Sequence, residues 1–290
     1  MRGNAEMHEL VAPGSLGAVL DLLAAEPGQW TPIAGGTELM VAFSAGRLTA
    51  VKLVNLWGIP DLRTIEVTPQ GIAIGAAATF LDLRKHAGLN AEFPLLARAA
   101  SWIGSIANQS RATLGGNLVN GSPAADSSPA LLAYDAEVET ISVRGRRKVP
   151  YSEFHTSYKR NVLAADELLY AIHLPRRFAR HRQYLRKVGT RRAMAIAKVA
   201  IGATALFEQG MIREIRLGAA SLAPYPVRLK QTEAALLDKP LTRETVLAAR
   251  SALLAEVQPI DDIRSTAEYR RRVAVNLLEE FLLELRREGL

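Results

Sequence analysis

The chain has 290 residues, 49% of them apolar, with no cysteine and a formal net charge of +7. That length suits two or three domains with a sizeable core. The lack of cysteine excludes disulfides, thiolate catalysis, zinc–thiolate sites and any iron–sulfur cluster held by this chain.

Residues 1–57 read as a small βαβ unit. Ser15 is a good N-cap, and Leu16, Val19, Leu20 and Leu23 follow at helical spacing. Pro27-Gly28 stops that helix. Trp30 to Ile33 reads as a strand, "ELMVAF" opens a helix, and Val51 to Leu56 reads as a second strand, so a parallel pair is expected.

Residues 58–177 read as α+β. The run 71–79 fits a buried strand. Thr79 to His86 and Glu92 to Ile103 are helical. The stretch from Thr113 to Ser128 is rich in Gly, Asn, Asp and Pro and reads as irregular loop until Pro129. Glu137 to Val143, a turn at Gly145 and "RRKVP" form a hairpin candidate. Leu168 to Leu174 is a strand ended by Pro175.

Residues 178–290 read as a third α+β unit. Arg176 to Arg192 carries eight basic residues and no acid. Without them the +7 becomes −1, so the excess charge is local. That run reads as a solvated face or a docking surface. Arg176, Arg177 and Arg180 are expected to be free and exposed, and "QYLRKVG" then alternates, with Tyr184 on one face and Leu185 and Lys187 on the other. Two strands flank a Gln209-Gly210 turn. Helices follow near 228–237, 242–256 and 266–287. No helix-turn-helix, zinc-finger or aromatic RNA-binding signature accompanies the charge, so nucleic acid is not an expected partner. No apolar h-region marks a signal peptide and no run of about 18 apolar residues marks a transmembrane helix, so a cytoplasmic location without membrane contact is expected.

Two short loops carry the chemistry. "AGGTEL" and "TLGGN" each join two glycines to polar residues. Glycine lets a ligand approach the main chain and permits φ > 0. Successive N–H groups can converge on an anion as a backbone nest. Thr37, Thr113 and Asn117 add polar side chains, and the pair of loops can hold the two phosphates of a pyrophosphate from opposite sides. Neither loop is a G-x-G-x-x-G fingerprint or a P-loop. A lone Gly-Gly is usually a turn. Two of them, with Ser122-Pro123 and Asp126 downstream, are harder to dismiss.

"PIAGGTEL" (32–39), "RATLGGNLVNGSPAADSSPALLAYDAEVE" (111–139), "AASLAPYPVR" (219–228) and "PIDDIRSTAEYRR" (259–271) resemble the FAD-binding medium subunit of molybdenum hydroxylases, the family of carbon monoxide dehydrogenase, bacterial xanthine dehydrogenases and aldehyde oxidoreductases. The resemblance covers nearly the whole chain. It implies a vanillyl-alcohol-oxidase-like fold: a small α/β subdomain, a larger α+β subdomain with FAD between them, and a C-terminal α+β domain. It implies that Ile33, Ala34, Gly35, Gly36, Thr37, Glu38 and Leu39 form the first pyrophosphate loop, and Thr113, Gly115, Gly116 and Asn117 the second. Ser122 and Asp126 match polar positions near the adenosine and phosphate end. Leu168 and Leu169 match apolar residues on the flavin side, Ile103 one packing by the ring, and Lys187 a lysine near the isoalloxazine.

The same resemblance implies electron transfer from iron–sulfur clusters in a small partner subunit, through this FAD, to NAD+, dioxygen or another acceptor. Substrate would be oxidised at molybdopterin in a large partner subunit, in a dimer of heterotrimers. The first loop lacks histidine and the chain lacks cysteine, so FAD is expected to be non-covalent. The extra cluster of one branch of the family is excluded by the same absence. The five histidines do not pair at metal-ligand spacing. The alternatives are a stand-alone flavin oxidoreductase of the same fold, or a non-catalytic binding or assembly subunit.

Overall fold

The computed structural model describes residues 3–191 and 194–288. Arg192 of the basic run lies outside them.

Ser15 Oγ accepts from the Ala18 amide at 3.2 Å and caps α1 (Leu16–Ala25), which buries Val19, Leu20 and Leu23. Strands β1 (Glu9–Val11), β2 (Trp30–Ile33) and β3 (Lys52–Asn55) form a parallel sheet in the order β1-β3-β2, and α2 (Leu39–Ser44) is the crossover from β2 to β3. The expected parallel pair is therefore present. β1 adds a strand with no sequence signal, because its three residues are too short and too exposed to alternate.

The second sheet is antiparallel. Its strands are β4 (Ile65–Thr68), β5 (Gly71–Gly75), β6 (Glu137–Ser142), β7 (Gly145–Pro150) and, after a small hairpin of β8 (His155–Ser157) and β9 (Arg160–Asn161), β10 (Leu168–Pro175). Their order is β4-β5-β10-β6-β7. The strand expected over 71–79 ends at Gly75, because Thr79 and Asp82 close a capping box on α3 (Phe80–Lys85). The single helix expected over 92–103 is broken at Phe93. α4 (Ala87–Glu92) ends there and α5 (Pro94–Ala100) begins with Pro94 in its first turn; α6 (Ile106–Gln109) follows. The stretch expected to be irregular up to Pro129 holds α7 (Leu114–Val119) and the start of α8 (Ser128–Ala133). Thr113 caps α7, and its two glycines did not prevent the helix because neighbouring backbone holds them in place.

The third sheet is also antiparallel: β11 (Arg182–Val188), β12 (Val199–Glu208), β13 (Met211–Ala220) and β14 (Val227–Arg228). Gln209 and Gly210 are both left-handed, with φ of 52° and 77°, which suits a tight hairpin. α9 (Lys230–Leu236), α10 (Arg243–Glu256) and α11 (Ala267–Glu288) are the three expected helices, and Leu217, Leu253, Leu278 and Phe281 join in their common core. α8 beds directly on this sheet. A Cβ at Gly202 or Gly218 would lie 2.6 or 2.5 Å from the Pro129 carbonyl oxygen, so both positions need glycine for packing. The α+β class with a small α/β unit at the N-terminus is thus observed. Among the described residues no helix is long and apolar enough to cross a membrane.

The basic run departs from expectation. Arg176 binds Glu92 (3.0 Å), Arg177 binds Asp135, Arg180 binds Glu208 (2.6 Å) and Arg186 binds Glu280 (2.6 Å). Asp135 also takes Arg216 (2.7 Å) and Arg228. These arginines are not a free cluster. Their acids come from residues distant in sequence, and Asp135, through Arg216 and Arg228, ties the end of α8 to the third sheet.

Candidate functional site

A cleft of about 470 Å³ opens beyond the ends of β2 and β3. It is lined from residues 31–39, Ile33 excepted, with Leu56 and Leu62, from the bend Ala76-Ala77 after β5, from Ile103, from residues 112–120 around α7, and from residues 161–169 leading into β10. Both glycine motifs therefore reach one cavity.

In the first turn Gly35 lies against Arg111, where a Cβ would stand 1.7 Å from the carbonyl oxygen. Gly36 has φ 73°, a left-handed conformation that costs other residues roughly 1–2 kcal/mol. Its carbonyl accepts from the Met40 amide at 2.8 Å and closes the turn into α2. The amides from Gly35 to Leu39 donate no backbone hydrogen bond to a described residue. A run of open N–H groups in a segment that lines a cleft suits an anion.

The second turn is built differently. The Leu114 amide donates to the Ala78 carbonyl (3.0 Å), Gly115 to Ala76 (2.8 Å), Gly116 to Thr113 Oγ1 (3.1 Å) and Asn117 to the Thr113 carbonyl (3.0 Å). All four amides are engaged, and neither glycine has positive φ. The expectation of a second open nest with left-handed glycine is corrected on both counts. Gly115 is there for packing: a Cβ would come within 2.6 Å of Ala76 Cβ and 2.7 Å of its oxygen. Gly116 meets only Thr113 Oγ1, at 2.8 Å. What this turn offers the cleft is the Thr113 hydroxyl and Asn117, whose Oδ1 accepts from Ser127 Oγ at 2.7 Å.

Of the residues singled out from sequence, Ala34, Gly35, Gly36, Thr37, Glu38, Leu39, Ile103, Thr113, Gly115, Gly116, Asn117, Leu168 and Leu169 line the cleft. Ile33, Ser122, Asp126 and Lys187 do not line it. Asp126 and Lys187 form an ion pair of 2.6 Å, each side chain 10% exposed. Burial pushes the Asp126 carboxyl up to about 6, against the pull of the Lys187 ammonium. Asp126 Oδ1 is buried without a hydrogen-bond partner, and Lys187 Nζ lies 6.0 Å from the centre of the Trp102 ring. The alternation expected along β11 is present: Tyr184 packs at 5.3 Å on Phe281, while Leu185 joins the core of the second region.

The segment 161–167 escaped sequence reasoning. Glu167 orders it by accepting from the Ala164 amide (2.8 Å), Arg147 (2.6 Å) and Thr140 Oγ1 (3.2 Å). Arg147 beside it holds the Glu167 carboxyl below the usual carboxylate range. Asn161 Nδ2 donates to the Val119 carbonyl at 3.3 Å and ties the segment to α7. Apart from Ala164, the partners lie on β6, β7 and α7, so no local spacing announces those contacts.

Known proteins share this architecture. Residues 5–177 match the model of the FAD binding domain in molybdopterin dehydrogenase, and residues 184–285 that of the CO dehydrogenase flavoprotein C-terminal domain. The chain is 31% identical over 272 residues to the xanthine dehydrogenase FAD-binding subunit of Escherichia coli O157:H7, covering 93% of each. It is 27% identical over 274 residues to the carbon monoxide dehydrogenase medium chain of Hydrogenophaga pseudoflava, covering 94% of this chain and 95% of that one. A solved carbon monoxide dehydrogenase of Hydrogenophaga pseudoflava, lacking the Mo-pyranopterin moiety, superposes with a TM-score of 0.91 at 28% identity, over 97% of this chain and 96% of that chain.

Proposed function

The chain belongs to the FAD-binding subunits of the molybdopterin dehydrogenases, of the carbon monoxide and xanthine dehydrogenase type, and from that premise we propose how it works. It holds FAD non-covalently in the cleft. It passes electrons from iron–sulfur clusters of a small partner subunit to NAD+, dioxygen or another acceptor. A large molybdopterin subunit oxidises the substrate, and the assembly is a dimer of heterotrimers.

One observation carries the reading: the residues from Gly35 to Leu39, whose amides are open, line the same cleft as Thr113 and Asn117. The residues present fit the cofactor. The first turn offers N–H groups to the diphosphate, where hydrogen bonds to a charged group are worth roughly 1.5–3 kcal/mol each. Thr37 and Thr113 add hydroxyls. Ile103, Leu168 and Leu169 give an apolar wall for the flavin end and keep water from it. Asp126 and Lys187 pair with each other outside the cleft lining, and the Asp126 Oδ1 left without a partner is not counted among the cofactor contacts. When bound, FAD supplies the redox chemistry, and the protein supplies position and electrostatics. No side chain of this chain is assigned a proton transfer.

The purified protein tests this. It is expected to show flavin absorbance, to release all flavin on acid precipitation, and to co-purify with iron and molybdenum from its native source. Flavin retained in the pellet overturns non-covalent binding. Flavin without iron or molybdenum overturns the subunit reading in favour of a stand-alone oxidoreductase, and a protein that takes up no FAD overturns both.

A further inference from the structure

The charge inside the cleft is of the wrong sign for a diphosphate. Among its described lining residues the charged side chains are Glu38 and Glu167, both acids. Glu167 is neutralised by Arg147 at 2.6 Å. Glu38 stands at the end of the first glycine turn, beside the open amides, and is 63% exposed. Two nearby cations are committed elsewhere. Lys187 is paired with Asp126, and Arg111, whose carbonyl abuts Gly35, lays its guanidinium 3.7 Å from the centre of the Trp57 ring.

Lys159 differs from both in touching Glu38 itself. It sits in the turn between β8 and β9, and its Nζ lies 3.9 Å from Glu38 Oε1. Its backbone is fixed. The φ of 53° is left-handed, Gly121 fits beneath it with a would-be Cβ 3.0 Å from Lys159 Cα, and Asn161 just beyond is tied to the Val119 carbonyl. Its side chain is 46% exposed and makes only this long contact among the described residues. A rigid hairpin thus holds an adaptable cation at the rim, between the first glycine turn and the end of α7.

We infer that Lys159 is the counter-charge this chain supplies to the diphosphate of the bound dinucleotide, leaving Glu38 for the ligand as it enters. The inference rests on the FAD reading above. An anion that enters beside Glu38 meets repulsion that the amides alone do not cancel. An ammonium within about 4 Å of Glu38 offsets that carboxylate's charge, and salt screens the interaction because the site is partly exposed.

The test is an FAD titration of the flavin-stripped full-length protein, followed by flavin fluorescence. Lys159→Asn removes the charge and keeps a residue that tolerates left-handed φ. It is expected to weaken FAD binding roughly fivefold or more at low salt, the size of a near-surface charge contact. The loss should shrink as salt rises, Lys159→Arg should restore affinity, and Glu38→Gln in the Lys159→Asn background should recover most of it. Wild-type affinity in Lys159→Asn at low salt overturns the inference. So does a loss that neither salt nor Glu38→Gln alters, which would mark a packing role. Failure of the wild type to bind FAD overturns the functional reading instead, so the two failures are distinct.

Discussion

The two glycine turns look alike in sequence and differ in what their backbones do. Each contributes one glycine for packing, Gly35 against the Arg111 carbonyl and Gly115 against Ala76. The second glycine of each pair differs: Gly36 is left-handed, whereas Gly116 lies in the first turn of α7 with ordinary φ. The first turn leaves its amides open, and the second gives all of its amides to the protein. The same dipeptide thus makes a turn with open amides in one place and a helix–strand joint in the other. The hydrogen bonds available from surrounding chain decide which.

The largest expected effect tests the shared part. Gly35→Ala places a carbon 1.7 Å from a backbone oxygen, and Gly115→Ala one 2.7 Å from another. Neither backbone atom can rotate away, so each variant should lose about 3 kcal/mol in denaturant unfolding, Gly35→Ala the more. Full stability in both would mean that neither turn is as closely packed as described.

The buried pair behind the second turn gives an effect of similar size in pH. Burial lifts the Asp126 carboxyl in the folded protein to about 6, above the ordinary aspartate value of 3.8. The folded state therefore favours the protonated acid, so this contribution to stability is full below about pH 4 and is lost as pH rises through 6. Wild type should lose about 2–3 kcal/mol over that window relative to Asp126→Asn, in which the titration is absent. Parallel unfolding curves for the two proteins at pH 4 to 7 would contradict the burial described.

Smaller effects separate the turns. Gly36→Ala should cost about 1–2 kcal/mol through its left-handed φ and weaken FAD binding. Gly116→Ala should be close to neutral in stability, since helix propensity gains up to about 1 kcal/mol while Thr113 Oγ1 must shift. Equal losses in the two variants would erase the distinction. Thr113→Ala removes the cap of α7 and should cost about 1 kcal/mol, with Thr113→Ser restoring it in the same thermal unfolding assay.

Much of the fold was legible because its signals are local. Ser15 with its helical stripe, the Trp30 to Ile33 strand and the Gln209-Gly210 hairpin each depend on neighbours within a few residues. So do the three C-terminal helices. α7 was not legible: glycine and asparagine argue for a loop, and the helix forms because Ala76 and Ala78 carbonyls bind its first amides. β1 was invisible for want of length. Most of the expected site residues do line one cleft, while the segment 161–167 that completes it is ordered by Glu167 through residues about twenty positions away.

By itself, then, the sequence determined the order of the main strands and helices, the absence of thiol chemistry, the family and the presence of two glycine motifs. These follow from side-chain periodicity, turn chemistry and residue identity. Only the tertiary structure decided which motif keeps its amides free, which acids meet the arginines of the basic run, and that the hairpin carrying Lys159 reaches Glu38. Hydrogen-bond satisfaction and charge pairing depend on groups brought together from distant parts of the chain, and no local pattern records those distances.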